Sequence, residues 1–187
     1  MAYVLFISEN KLKESTAINM NVDVDLLLPY VRQAQKLYVE PKLGTDLYDK
    51  LKADITAGTL AGAYKTLVDE YIGDMLPNWA FYHAIPFLRF KVENGNIYSK
   101  TSETGNALST EESQHLREEV RNTSEYYTER MIEHIKNNIS SYPEYNTNSG
   151  EDISPDSNAF YNNMNLERPN QQGTKLTLRN FLTSDLT

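Results

Sequence analysis

Few side chains in this sequence are of a type that does chemistry, and their spacing narrows them further. His83, His115 and His134 are the three histidines, and none stands four residues from another, the spacing that would set two metal ligands on one helix face. Each reads as a surface histidine or one satisfied structurally. Glu111, Glu112, Glu118 and Glu119 could supply a carboxylate pair for acid–base work, yet Arg117 and Arg121 interleave with them at helical ion-pair spacing. A solvated helix face accounts for that pattern better. The absence of cysteine removes thiolate nucleophiles, disulfides and Cys-bound zinc. There is no Gly-rich phosphate loop and no Gly-x-Ser-x-Gly elbow, and Gly44 and Gly58 serve as helix punctuation. No catalytic residue, metal ligand or cofactor site is assigned, and the chain is expected not to be an enzyme.

Tyrosine is the conspicuous residue, with 13 copies spread along the chain. Its large ring and polar tip suit protein–protein surfaces. Tyr38, Tyr64, Tyr71 and Tyr127 sit at helical positions where core packing explains them equally well. The aromatics near the C-terminus differ, because an extended tail has no core of its own to fill. Tyr142, Tyr145, Phe160 and Tyr161, with Leu176, Leu178, Phe181 and Leu182, are the candidate partner-binding residues of such a tail.

The elements that would carry these residues are mainly helical. Tyr3 to Ile7 is a β-prone run that could pair with something else, after which Ser8 caps a brief helix through Lys13. Asp23 or Asp25 caps a helix whose Leu27, Val31, Ala34 and Tyr38 share one face. Pro41 and Gly44 break it. Thr45 then caps a helix carrying Leu47, Leu51 and Ile55, which ends at Gly58. A third long helix carries Leu60, Tyr64, Leu67, Val68, Tyr71 and Ile72 and is expected to end or bend at Gly73-Asp74. The most apolar stretch runs from Met75 to Phe90, includes the single tryptophan, Trp79, and should cross the core centre with a kink at Pro86.

Asn94-Gly95 between β-prone residues predicts a short projecting hairpin around residues 90–100. Ser109 and Glu112 form a capping box for a long helix in which Leu116, Val120, Tyr127, Met131, Ile135 and Ile139 keep helical spacing. Beyond Ile139 the composition turns to Asn, Ser, Pro and Gly, and no period returns until Leu176, Leu178 and Leu182 alternate with polar residues. The fold class expected is all-α. It would be a bundle of five to six helices with a short β-hairpin and long extended N- and C-terminal arms. The division is a helical body over 1–139 and an assembly arm over 140–187.

At 187 residues one core is the default, and a net charge of −8 opposes any grip on phosphates. The first residues lack a basic region and a long apolar run, so neither a signal peptide nor a membrane span is expected. With secretion not expected, the sequons at Asn122 and Asn138 carry no meaning.

Three stretches are specific enough to compare with a known family: "LFISENKLKESTAINMNVDVDLLLPYVRQAQKLYVEPKLGTDLYDKL", "LREEVRNTSEYYTERMIEHI" and "YPEY". They resemble a family of virion proteins from tailed phages of Bacteroides-type gut bacteria, including the crAss-like phages, similar in design to helical head-to-tail connector (adaptor) proteins. The resemblance covers about residues 3 to 146 and is most specific from Ala34-Gln35 through Pro41, Leu43-Gly44 and Leu47-Tyr48. It implies a virion location at the capsid–tail junction, assembled in the bacterial host cytoplasm. It further implies a ring of about twelve copies beneath the portal, a closed cyclic assembly. The implied partners are the portal protein, sibling subunits and the next tail or ring protein, with DNA passing through and no sequence-specific binding. An acidic channel wall would suit that passage. The C-terminal arm would add a strand to a neighbour's sheet edge. The alternative from a different class is a non-catalytic soluble adaptor or regulatory protein that binds a partner through its tail.

Overall fold

Apolar spacing and end signals set the helices seen in the computed structural model, which describes residues 3–18, 22–93, 96–99, 109–147 and 153–156, of which Arg89 is excepted and 90–99 are described by backbone alone. The described chain is mostly helical. Ser8 caps α1 (Glu9–Glu14) by accepting the Lys11 N–H, and a 3-10 turn at Val24–Leu26 begins on Asp23. Then α2 (Leu28–Ala34), a π turn (Gln35–Val39) and α3 (Glu40–Leu43) follow without interruption. Pro41 has no N–H to return to the preceding turn, and just before it the Glu40 N–H reaches back to the Gln35 carbonyl, one residue further than in an α-helix. The widened turn leaves Gln35, Tyr38 and Val39 all buried.

Gly44 turns the chain into α4 (Thr45–Ala57), which ends at Gly58 in the left-handed conformation, φ 67°. A second run joins α5 (Gly62–Thr66), a π turn (Leu67–Ile72) and α6 (Gly73–Leu88). The break expected at Gly73-Asp74 is absent: Gly73 is buried inside a continuous helical run, its N–H bonded to the Val68 carbonyl. The glycine admits a close neighbour, since a Cβ there would lie 3.2 Å from Lys11 Cε. Strands β1 (Phe90–Glu93) and β2 (Asn96–Ser99) are antiparallel, with Phe90 opposite Ser99. The last long helix, α7 (Thr110–Asn137), starts on the Ser109–Glu112 capping box.

Helix α6 is the centre, packed between α2 and α7. The rings of Tyr38 and Trp79 stack 3.7 Å apart and nearly parallel. Trp79 donates its indole N–H to Thr128 Oγ1 at 3.0 Å, and Thr128 in turn donates to the Ser124 carbonyl. Ser124 and Thr128 are therefore core residues, which a search for apolar period passes over. The stripe expected along α7 is buried at Met131 and Ile135, whereas Leu116 and Ile139 are exposed.

The described residues nearest each end depart from the expected arms. Tyr3 to Ile7 forms no strand. Phe6 and Ile7 are buried, the Phe6 N–H donates to Gln35 Oε1, and Gln35 Nε2 donates to the Val4 carbonyl. One side-chain amide thus supplies the pairing that a neighbouring strand would have given. At the other end, short turns at Ile139–Ser141 and Pro143–Tyr145 fold back onto the body, so the body extends past residue 139.

Candidate functional site

The residues singled out for chemistry occupy structural posts. His83 Nε2 lies 3.0 Å from the Tyr38 hydroxyl, and burial, with a smaller contribution from the Arg117 guanidinium, lowers its pKa below the ordinary histidine value. Arg117 sits 4.4 Å over the Tyr82 ring. His134 is stacked on Tyr71 with its Nε2 3.0 Å from the Tyr142 hydroxyl. Because that hydroxyl donates to the Ala63 carbonyl, Nε2 of neutral His134 is the protonated nitrogen and donates to it. Burial lowers the His134 pKa as well. His115 is exposed, as are Glu111, Glu118 and Glu119, while Glu112 closes the capping box. Among the described residues no group of three or more His, Cys, Asp or Glu could hold a metal ion.

Of the residues assigned to partner binding, two are corrected. Tyr142 is fully buried in the core, wedged edge-on to Tyr64, and Tyr145 is partly buried against the same cluster. Both pack against this chain's own core. Between them Glu144 accepts the Tyr64 hydroxyl at 2.6 Å, and burial together with that carboxylate pushes Tyr64 up to about 12. Phe160, Tyr161, Leu176, Leu178, Phe181 and Leu182 lie outside the described residues.

What the sequence did not announce is a docked strap. Residues Ile153 to Asp156 lie on the corner between α3 and α4, at Pro41 to Thr45. Thr45 and Ile153 exchange two hydrogen bonds: the Thr45 N–H donates to the Ile153 carbonyl, and the Ile153 N–H donates to Thr45 Oγ1, each at 3.0 Å. The Asp156 N–H donates to the Pro41 carbonyl at 2.8 Å. Lys42, 7% exposed, pairs with the Asp156 carboxylate at 2.7 Å. Pro155 packs closely on Gly44, where a Cβ would stand 2.7 Å from two of its ring carbons. At φ 77° and ψ 160° Gly44 also holds a conformation that L side chains avoid.

The strap completes helix α4. Gly44 occupies the N-cap position and has no side chain to cap with, so the first helical N–H, that of Thr45, finds its acceptor on Ile153. Thr45 is the first residue of the helix and binds the strap through its hydroxyl, which corrects its expected role as the cap. The available signal was slight: a Pro-x-x-Gly-Thr corner inside the stretch that carried the family resemblance, and a Pro-Asp pair in a polar region.

Compared with known proteins, residues 39–154 match the model of DUF6712, described as a family of unknown function. That span contains the corner and reaches the strap. No curated protein and no solved structure matches.

Proposed function

This chain belongs to the DUF6712 family, and we propose that it is a structural virion protein forming a ring beneath the portal, connecting capsid to tail and letting genomic DNA pass. In this reading the body is a bundle of five to six helices bearing a short hairpin near residues 90–100, and residues 157–187 are the assembly arm. The observation that carries it is the strap: a folded helical body clips its own chain at the α3–α4 corner, so that a polar, Asn-rich segment of 31 residues begins from a fixed surface point. A segment that starts from a fixed point can reach a neighbour with less ordering cost than one hung on a free tail. The resemblance of residues 3 to 146 to head-to-tail connectors supports the same reading. So does the exposed acidic face of α7, with Glu111, Glu118, Glu119, Glu129 and Glu133, which would keep DNA from sticking to a channel wall.

The test is to isolate the protein in its native assembly, image it and count copies per particle. A ring stacked on a portal is the expected result, and absence from virions overturns the proposal. Because Tyr142 belongs to the core, the informative truncation removes residues 157–187 and spares 140–156. That truncated chain should melt like the full chain yet fail to enter particles, and normal incorporation would refute the arm.

A further inference from the structure

The contacts described for the strap fall on four residues of one corner, Pro41, Lys42, Gly44 and Thr45, and together they can recognise register, shape and charge. The paired hydrogen bonds of Thr45 and Ile153 fix register, the close fit of Pro155 on Gly44 selects shape, and the Lys42–Asp156 pair selects charge. We propose that this corner is a binding site for the Ile153–Asp156 strap that works between molecules as well as within one, so that the strap of one copy docks on the corner of a second copy. The inference stands apart from the virion reading, since it concerns how two copies of this chain link in any setting.

Three observations carry it. Among the contacts described, the docked strap is held by main-chain groups, one hydroxyl, one ion pair and a proline ring, and none of its four residues is buried in the core, Ile153 being 37% exposed. Exchange of an identical element between copies conserves every one of these contacts. The joining residues, Asn148-Ser149-Gly150-Glu151-Asp152, are all polar or glycine. Finally, the strap caps α4, so an emptied corner leaves a helix end to be completed by any strap that arrives. The six peptide steps from Thr147 to Ile153 reach about 20 Å at most, which requires the second copy to lie alongside. In dilute solution a strap meets its own corner at far higher effective concentration, so exchange belongs to crowded assemblies.

A charge swap tests this on the full chain. Lys42→Asp and Asp156→Lys each set like charges in their own corner, and mixing the two chains restores opposite charges only across molecules. Light scattering should show a two-chain complex in the equimolar mixture, at least ~10-fold more abundant than in either variant alone. The chain carrying both substitutions should recover hydrogen-exchange protection at the Thr45 amide and stay out of complexes. If the mixture stays unassociated while that double variant recovers protection, the strap works only within its own molecule and the proposal fails. Where a variant does not fold, or the double variant does not recover, a fluorescent peptide of residues 150–158 titrated into the Asp156→Lys chain decides. Binding at least ~10-fold tighter than to the wild type, whose own strap fills the corner, supports the site. No saturable binding, or equal binding to both, overturns it.

Discussion

The same helical run receives both ends of the described chain, and it holds them in different ways. Residues 4–6 are welded to its π turn through Gln35, which is fully buried and also donates to the Tyr48 hydroxyl at 2.9 Å, while Phe6 packs against the Tyr48 ring. Residues 153–156 are clipped further along, at Pro41 to Thr45, through groups near the surface, where the Asp156 side chain is 56% exposed. Buried amide pairing backed by apolar contact opens only when the core opens. Main-chain bonds and an ion pair at the surface open locally, at a fraction of the global free energy. One end is part of the fold, and the other is a fastening.

The largest effect expected from breaking this contrast is at Gln35. Gln35→Leu leaves the Phe6 N–H, the Val4 carbonyl and the Tyr48 hydroxyl without the amide they now bond, at about 1–3 kcal/mol for each buried group that finds no water. A loss of roughly 3 kcal/mol lowers Tm by roughly 6–12 °C. Hydrogen exchange at the Phe6 amide should rise together with exchange across the core. Loss of protection at Phe6 with an unchanged melt would show that the N-terminal weld is only a second clip.

Next comes Gly44→Ala, which acts on the fastening through both backbone and space. The ψ 160°, φ 77° conformation costs an alanine about 1–3 kcal/mol, and the new methyl would collide with Pro155 at 2.7 Å. The relief available is for the strap to leave. Exchange at the amides of Thr45, Ile153 and Asp156 should approach unprotected rates, whereas the Phe6 amide stays protected. Pairing it with Pro155→Gly, which removes the ring, should return part of the protection. Protection of Ile153 that survives Gly44→Ala would contradict the close fit.

The contrast also marks what the sequence disclosed. Signals confined to a few neighbouring residues were legible: the Ser8 cap, the Ser109–Glu112 box, the Gly58 terminus, and the Leu27, Val31, Ala34, Tyr38 face. Features that depend on residues far apart were not. Tyr3 to Ile7 has strand composition, but its partner is a glutamine side chain 29 residues on from Phe6, which no alternation pattern announces. Tyr142 follows a polar stretch, so its burial under Ala63, 79 residues earlier, reads locally as a tail. Gly73 resembles a helix end in a window of ten residues, and its burial beside Lys11 and the Val68 carbonyl, which lie close to where a side chain would start, is not visible locally. The strap combines these difficulties, because half of the site is a corner that looks like punctuation and the other half is a segment that looks like linker.

The smallest expected effect sharpens the comparison most. Asp156→Asn keeps the strap's shape and its main-chain bond to Pro41 while removing the charge opposite Lys42. With Asp156 more than half exposed, the ion pair is screened by solvent and contributes on the order of 1 kcal/mol or less. The variant should therefore open the strap about 2–5-fold more often, read as faster exchange at the Ile153 amide, with a melt within about 2 °C of the wild type. Added salt should speed Ile153 exchange in the wild type and leave the variant nearly unchanged, since screening acts only on the charge that has been removed. A melt lowered by more than about 5 °C would mean that Lys42 depends on Asp156 for its place in the body. In that case the strap would be a second weld, and the two ends of the chain would be held alike.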